Sequence, residues 1–378
     1  MPSGNDSPDT MDTMIARVFK RRWLALAPAL ILGMLFAVPG QAEKKKAAAV
    51  PPPELVWPLP PDKPRVRFIE MFSNNFDIEP RKKRSLVDRL VGRPDPNVTE
   101  IFEKPAGLAT DSRGRLLIAS LQRATVFILD KEQHKVVRLQ GDRSILLKSP
   151  LGLAVDQQDN IYVSDPLLDM VLKFDAEGRL QATVGRDAGM TNPTFLALDE
   201  PRRRLFVVDS HLHQVLVYDL DTLQLITRVG SRGEKDGQFN FPVGIGVNPE
   251  GYFAVTDTGS CSVQVFSPDF KFVRRFGSQG TRPGHFVRPK GVAFDSEGHI
   301  WVVDAAFNNF QIFDSNGQVL MFVGNFGNLP GAFNLPVGIY IDRNNRVYVS
   351  DQLNHRVQIF QLLGGDWEGN TANQAQRR

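Results

Sequence analysis

The chain has 378 residues, 42% of them apolar, and a formal net charge of +3. That apolar share excludes wholesale disorder, and so small a charge does not suggest a nucleic-acid binder, which needs a concentrated basic face. The single cysteine, Cys261, excludes an internal disulfide framework and a cysteine-based zinc site.

In chain order, Arg17, Lys20, Arg21 and Arg22 precede an apolar run of 16 residues from Trp23 to Val38, followed by Pro39-Gly40-Gln41-Ala42. Basic region, apolar core and small-residue site is the order of a secretory signal. The run falls short of the ~18–20 residues that span a bilayer comfortably, but Lys44, Lys45 and Lys46 beyond it oppose translocation. Residues 1–42 are therefore expected to be a signal peptide cleaved near Ala42 or a signal anchor. The protein is then exported, periplasmic or extracytoplasmic, with any inner-membrane attachment made through the N-terminus alone. Residues 43–64 are rich in alanine and proline and are expected to form an extended polyproline II spacer. Arg65 to Phe72 reads as a strand. Residues 81–91 read as a short helix, with Ser85 as cap, Asp88 completing a capping box, and Leu86, Val87, Leu90 and Val91 on one face.

From about residue 102 to 361 the chain repeats itself. Each unit opens on Pro-x-Gly and an apolar strand, turns, and continues with a second apolar strand ending in aspartate, a Val-rich strand and a fourth strand ending in glycine. The opening prolines are Pro105, Pro150, Pro193, Pro242, Pro289 and Pro336, at steps of 43–49 residues. The second strands end at Ser120, Asp165, Asp209, Asp257, Asp304 and Asp351. Unit one thus lacks the aspartate, and unit three has Phe195 in place of the opening glycine. Four short strands in such a period make one propeller blade. Second strands such as Ile300 to Val303 are apolar on both sides, as blades stacked face to face require. The fold class expected is all-β, a six-bladed β-propeller over residues 65–363 with a polar tail at 364–378. Unit six supplies only three strands, so Arg65 to Phe72 is expected to pair with Arg356 to Phe360 and close the ring.

The pattern resembles the NHL repeat, most closely in unit six: Pro336-Val337-Gly338, Asp342, Asp351 and Asn354-His355-Arg356-Val357. The resemblance implies a propeller that binds protein or RNA partners, senses ligands outside cells, or, in a minority, acts as a lyase; related six-bladed propellers include metal-dependent lactonases. Fold analogy alone does not choose among these.

The residues narrow the choice. Gly230, Gly233, Gly237, Phe239 and Pro242 recur as Gly277, Gly280, Gly284, Phe286 and Pro289, and again as Gly324, Gly327, Gly331, Phe333 and Pro336. A phosphate cradle opens a helix, whereas this loop lies between strands, so each phenylalanine is expected to plug a blade junction. His211 and His213 form an H-x-H pair, a weak candidate for a metal. Four residues past each second-strand end lie Ala124, Asp169, His213, Cys261, Asn308 and His355, a polar ring on paper. It begins the third strands, about 10 Å outside the innermost ones, too far from the axis for a shared metal, and turn capping is the better account. The innermost positions, Gly107-Leu108, Gly152-Leu153, Phe195-Leu196, Gly244-Ile245, Gly291-Val292 and Gly338-Ile339, carry no acid and no histidine, which argues against lactonase-like hydrolysis. The Asp-x-x-Gly pieces read as hairpin turns, and Arg202, Arg203 and Arg204 as a solvated loop.

No catalytic residue, cofactor or resident metal is expected. The reading is a monomeric scaffold in the cell envelope that binds a protein or envelope polymer through its loop face, without nucleic acid. In propellers the face bearing the fourth-to-first and second-to-third loops usually binds partners, and there His285, Arg288, Lys290, Phe307, Asn308 and Asn309 of unit five form the candidate surface. The alternative is a lyase or lactonase-like metal-dependent enzyme.

Overall fold

β-Branched and aromatic runs of five to seven residues, punctuated by Asp-x-x-Gly and Pro-x-Gly, have one way to bury both faces: short antiparallel sheets stacked on one another. A computed structural model of the chain describes residues 54–83 and 97–364. The expected N-terminal signal or anchor, residues 84–91 of the expected helix and the tail from 365 lie outside the described residues; Arg81 to Lys83 are not helical. Among the described residues no helix is long and apolar enough to cross a membrane.

Strands β1 (Val56–Trp57) and β2 (Val66–Phe72) come first. Blade 1 follows with β3 (Pro105–Thr110), β4 (Leu116–Ser120), β5 (Thr125–Asp130) and β6 (Lys135–Leu139), and blade 2 with β7 (Leu153–Val155), β8 (Ile161–Asp165), β9 (Met170–Phe174) and β10 (Leu180–Val184). Blade 3 holds β11 (Pro193–Asp199), β12 (Arg204–Asp209), β13 (Gln214–Asp219) and β14 (Leu225–Val229). Blade 4 holds β15 (Pro242–Val247), β16 (Phe253–Asp257), β17 (Ser262–Phe266) and β18 (Phe272–Phe276). Blade 5 holds β19 (Pro289–Phe294), β20 (Ile300–Asp304), β21 (Asn309–Phe313) and β22 (Val319–Val323), and blade 6 β23 (Pro336–Ile341), β24 (Arg346–Asp351) and β25 (Arg356–Leu362). Blades 1 to 5 are antiparallel meanders, and blade 6, antiparallel throughout, reads β1-β2-β25-β24-β23 from rim to axis.

The sixth blade is thus completed from the other end of the chain. β2 lies antiparallel to β25, from Val66 opposite Leu362 to Phe72 opposite Val357, with a bulge between Phe68 and Glu70. Residues 56–57, inside the stretch expected to be spacer, add a fifth strand against β2. The reason is packing: Trp57 and Phe68 both set their rings edge-on to Phe360, each at 5.7 Å.

Two sequence signals are explained by contacts between blades. The junction phenylalanines Phe239, Phe286 and Phe333 are fully buried. Each lies where a Cβ on Gly230, Gly277 or Gly324 would stand 2.4–2.6 Å from its ring, so only glycine permits the plug. The second-strand aspartates are buried and tie two loops together. Asp304, for example, accepts from the amides of Val287 and Arg288 in the incoming loop and of Ala306 and Phe307 in its own turn. In unit one Ser120 substitutes by donating its hydroxyl to the Glu103 carbonyl at 2.6 Å.

Candidate functional site

The polar ring is decided by backbone conformation. Ala124, Asp169, His213, Cys261, Asn308 and His355 all adopt left-handed φ of 49–56° at the turn into the third strand. Asp, Asn and His tolerate that conformation better than other non-glycine residues, which accounts for the local enrichment. Four of the six side chains then reach the next blade. His213 Nδ1 accepts from the Phe241 amide at 3.2 Å, Asn308 Oδ1 from the Leu335 amide at 2.8 Å, and His355 Nδ1 from the Lys104 amide at 3.2 Å. Cys261 Sγ lies 3.4 Å from the Val287 carbonyl. They are staples between blades. His213 is buried, its ring tilted against that of Phe241 at 4.9 Å, and burial depresses its pKa, in keeping with a neutral acceptor. His211 is exposed, so the H-x-H pair does not converge. Among the described residues no three His, Cys, Asp or Glu side chains gather to hold a metal.

The axis is narrow for a related reason. A Cβ on Gly107, Gly152, Gly244, Gly291 or Gly338 would meet the carbonyl of Leu151, Thr194, Lys290, Val337 or Ala106 at 2.0–2.8 Å. Each innermost strand therefore packs its glycine against the opening residue of the next blade. Blade 3 departs from this. There Thr194 donates its hydroxyl to the Val243 carbonyl at 2.7 Å, and Phe195 enters a cluster with Ile245 of blade 4 and Val337 of blade 6. That cluster bridges the axis.

The axial cavity, about 230 Å³, is lined by Phe195 and by aliphatic side chains from every blade, among them Leu108, Leu153, Leu196, Ile245, Val292 and Ile339. It shares Val155, Glu200 and Tyr340 with a second hollow of about 580 Å³ among the first-to-second-strand turns, next to Asp111, Asp156, Asp342 and Arg343. Glu200 is an acid that the innermost-strand survey missed, because it sits one residue past the end of β11. It is already engaged, accepting from the Gln157 amide at 2.8 Å and from Arg203 at 2.7 Å. The Tyr340 hydroxyl meets Thr110 Oγ1 at 2.9 Å, and burial raises its pKa. The arginines expected in a solvated loop are likewise engaged. Arg202 reaches Asp199 and the Glu250 carbonyl, Arg203 binds Glu200 and Asp221, and Arg204 covers Phe270.

The unit-five residues are placed unevenly. All six lie at the end of the fourth-to-first and second-to-third loops, but only Arg288 is exposed; His285, Lys290, Phe307, Asn308 and Asn309 are half-buried. Asn308 is occupied as a staple, and the His285 carbonyl accepts from Gln311 at 2.8 Å. Stronger exposure lies one loop further on. The loops 230–239, 277–286 and 324–333 share one backbone: Arg232, Gln279 and Phe326 bridge Phe239, Phe286 and Phe333 in parallel, and the amides of Gln238, His285 and Ala332 bond to Lys235, Arg282 and Leu329. Equivalent tip positions therefore carry Arg232 and Lys235, Gln279 and Arg282, then Phe326 and Leu329. The last pair is 71% and 72% exposed. No repeat signal marks this pair, because the positions that recur in the three loops are the glycines and the buried phenylalanine, whereas the tip positions vary.

Buried Asp257 accepts from the Asn240 amide at 2.9 Å, yet burial pushes its pKa up to about 6. With the folded pKa above the unfolded one, this group's contribution to stability is present below about pH 4 and lost as pH rises through 6. The melting-temperature advantage of the wild type over Asp257→Asn is accordingly expected to be larger at pH 4 than at pH 7. A difference independent of pH would contradict it.

Six blades closed into a ring around an apolar axis define a six-bladed β-propeller. More particularly, it carries NHL repeats: the model of that repeat family matches residues 239–266, 286–313 and 333–360, in blades 4 to 6. Among solved structures the chain is similar to virginiamycin B lyase from Staphylococcus aureus, at 13% identity and a TM-score of 0.51, covering 69% of this chain and 81% of that one. It is also similar to Kuenenia stuttgartiensis hydrazine synthase, at 16% identity and a TM-score of 0.52, covering 71% and 82%. At these identities the likeness shows the fold alone. Curated relatives include peptidyl-glycine alpha-amidating monooxygenase B of Xenopus laevis, 26% identical over 162 residues, and the Mus musculus enzyme, 24% identical over 172 residues. The matched segments are 39% and 42% of this chain but only 18% and 17% of those relatives.

Proposed function

We propose that the protein is a binding scaffold of the cell envelope, exported by its N-terminal segment, which docks a protein partner through the fourth-to-first loop face around Phe326 and Leu329. One observation carries the reading. Three loops with a single backbone present three different tip pairs, so folding does not require the apolar one. An aromatic and an aliphatic side chain held out on a clamped loop are what a protein partner buries at the centre of an interface. Arg232, Lys235 and Arg282 on the neighbouring loops add cations at the rim. The second reading, a lyase-like enzyme, draws on the printed names of the relatives and on the axial cavity, but Glu200 and Tyr340 already have partners there.

A photo-crosslinking residue placed at 326 or 329 of the full chain in its native envelope is expected to yield a discrete protein adduct, while the same residue at 232 or 235 yields little. Phe326→Arg with Leu329→Glu should weaken capture of the identified partner about a hundredfold without moving the melting temperature. Equal yields at all four positions, or none, would overturn the proposal.

A further inference from the structure

Among the described residues, the outermost strands of blades 1 to 5, β6, β10, β14, β18 and β22, pair on their inner side only, as does the two-residue β1 of blade 6. Such edges offer free backbone donors and acceptors, and proteins blunt them with charge or polarity. β6 carries Lys135 and Arg138, β10 Gln181 and Thr183, β14 Arg228, and β18 Arg274 and Arg275. β22 reads Val-Leu-Met-Phe-Val and has no polar side chain at all, with Phe322 half exposed.

This bare edge also borders a groove. A hollow of about 320 Å³ runs along Val319 to Phe322, flanked by Pro283 from the preceding loop and by Trp57 and Pro58 from the closing blade. Prolines have no amide hydrogen with which to compete for an incoming strand. No charged residue lines the groove, so a charged occupant would be desolvated without compensation. Flanks on both sides also disfavour a second propeller, whose own edge is flanked in the same way. What fits is a single extended chain. The fold already uses that mode, since β2 and then β1 are added to blade 6 as strands from a distant segment.

We infer that β22 is a strand-addition site for an extended, uncharged segment of a partner protein with alternating apolar side chains. Main-chain hydrogen bonds to the edge hold the segment, and the groove takes its apolar side chains. This deepens the scaffold reading, since it supplies a mode of binding beside the Phe326 and Leu329 loop.

The test uses the full chain and two fluorescent seven-residue probes alternating valine and threonine, one of them N-methylated at every second residue to remove its donors. Saturable binding of the unmodified probe, read by anisotropy, is expected. Met321→Lys or Phe322→Lys should weaken it about tenfold or more, and N-methylation should abolish it. Phe322 is half exposed, so Phe322→Lys is expected to keep the wild-type melting temperature. Ile226→Lys on the β14 edge should change nothing, and Phe326→Arg with Leu329→Glu should leave probe binding intact. Failure at the edge is thus separable from failure of the loop-face reading. No saturable binding, equal binding of the methylated probe, or indifference to both β22 variants would overturn the inference.

Discussion

Removing residues 65–72 is expected to lower the melting temperature by about 10–20 °C. β2 covers β25 from Val357 to Leu362, and without it that strand becomes an open edge in the blade that closes the ring. Val66 is fully buried and Phe72 nearly so, and each large-to-small loss of this kind costs about 2–5 kcal/mol. The Phe68 ring against Phe360 goes with them, as does the bond from the Leu363 amide to the Arg65 carbonyl. Thermal denaturation of the deletion beside the intact chain checks this. An unchanged transition would mean that closure by β2 contributes nothing.

The second large effect is expected at Arg356. Its guanidinium is buried, donating to Asp351 Oδ2 at 2.7 Å and to the carbonyls of Asn328, Leu329 and Ala332 at 2.6, 3.0 and 2.8 Å. Thr125, Met170, Gln214, Ser262 and Asn309 hold the equivalent place in the other blades, so no other blade has such a clamp. Arg356→Ala leaves the fully buried Asp351 carboxylate without its cation and the Asn328 carbonyl short of its donor, while the Leu329 and Ala332 carbonyls lose one of two. Breaking a buried pair in this way costs about 3–5 kcal/mol, measurable by urea denaturation. Asp351→Asn with Arg356→Met is expected to cost less than the sum of the two single changes, because the buried charge leaves with its partner. The loop that presents Phe326 and Leu329 depends on the same clamp, so partner capture should weaken in Arg356→Ala at temperatures where the domain is still folded.

The candidate site was only partly legible beforehand. Histidine and asparagine at the turn into the third strand were visible as a ring, and the ~10 Å strand spacing already placed them off the axis. Their partners were not visible, because His355 meets Lys104 across 251 residues and no local pattern reports that. Glu200 escaped notice by lying one residue beyond an innermost strand. The unit-five surface was chosen for its mixture of cations and an aromatic, yet most of it is half-buried.

By itself, the sequence determined the number of blades, the strand order within each and the residues that face inward. Those depend on period, alternation and turn chemistry, all properties of neighbours along the chain. Tertiary structure alone decided three further matters: that Phe195 replaces a glycine by joining a cluster across the axis, that residues 56–57 add a fifth strand, and that, among the described residues, one loop tip and one rim strand are left apolar and exposed. These depend on which atoms stand opposite one another once six sheets curve into a ring, and the curvature is a property of the packed assembly rather than of any segment.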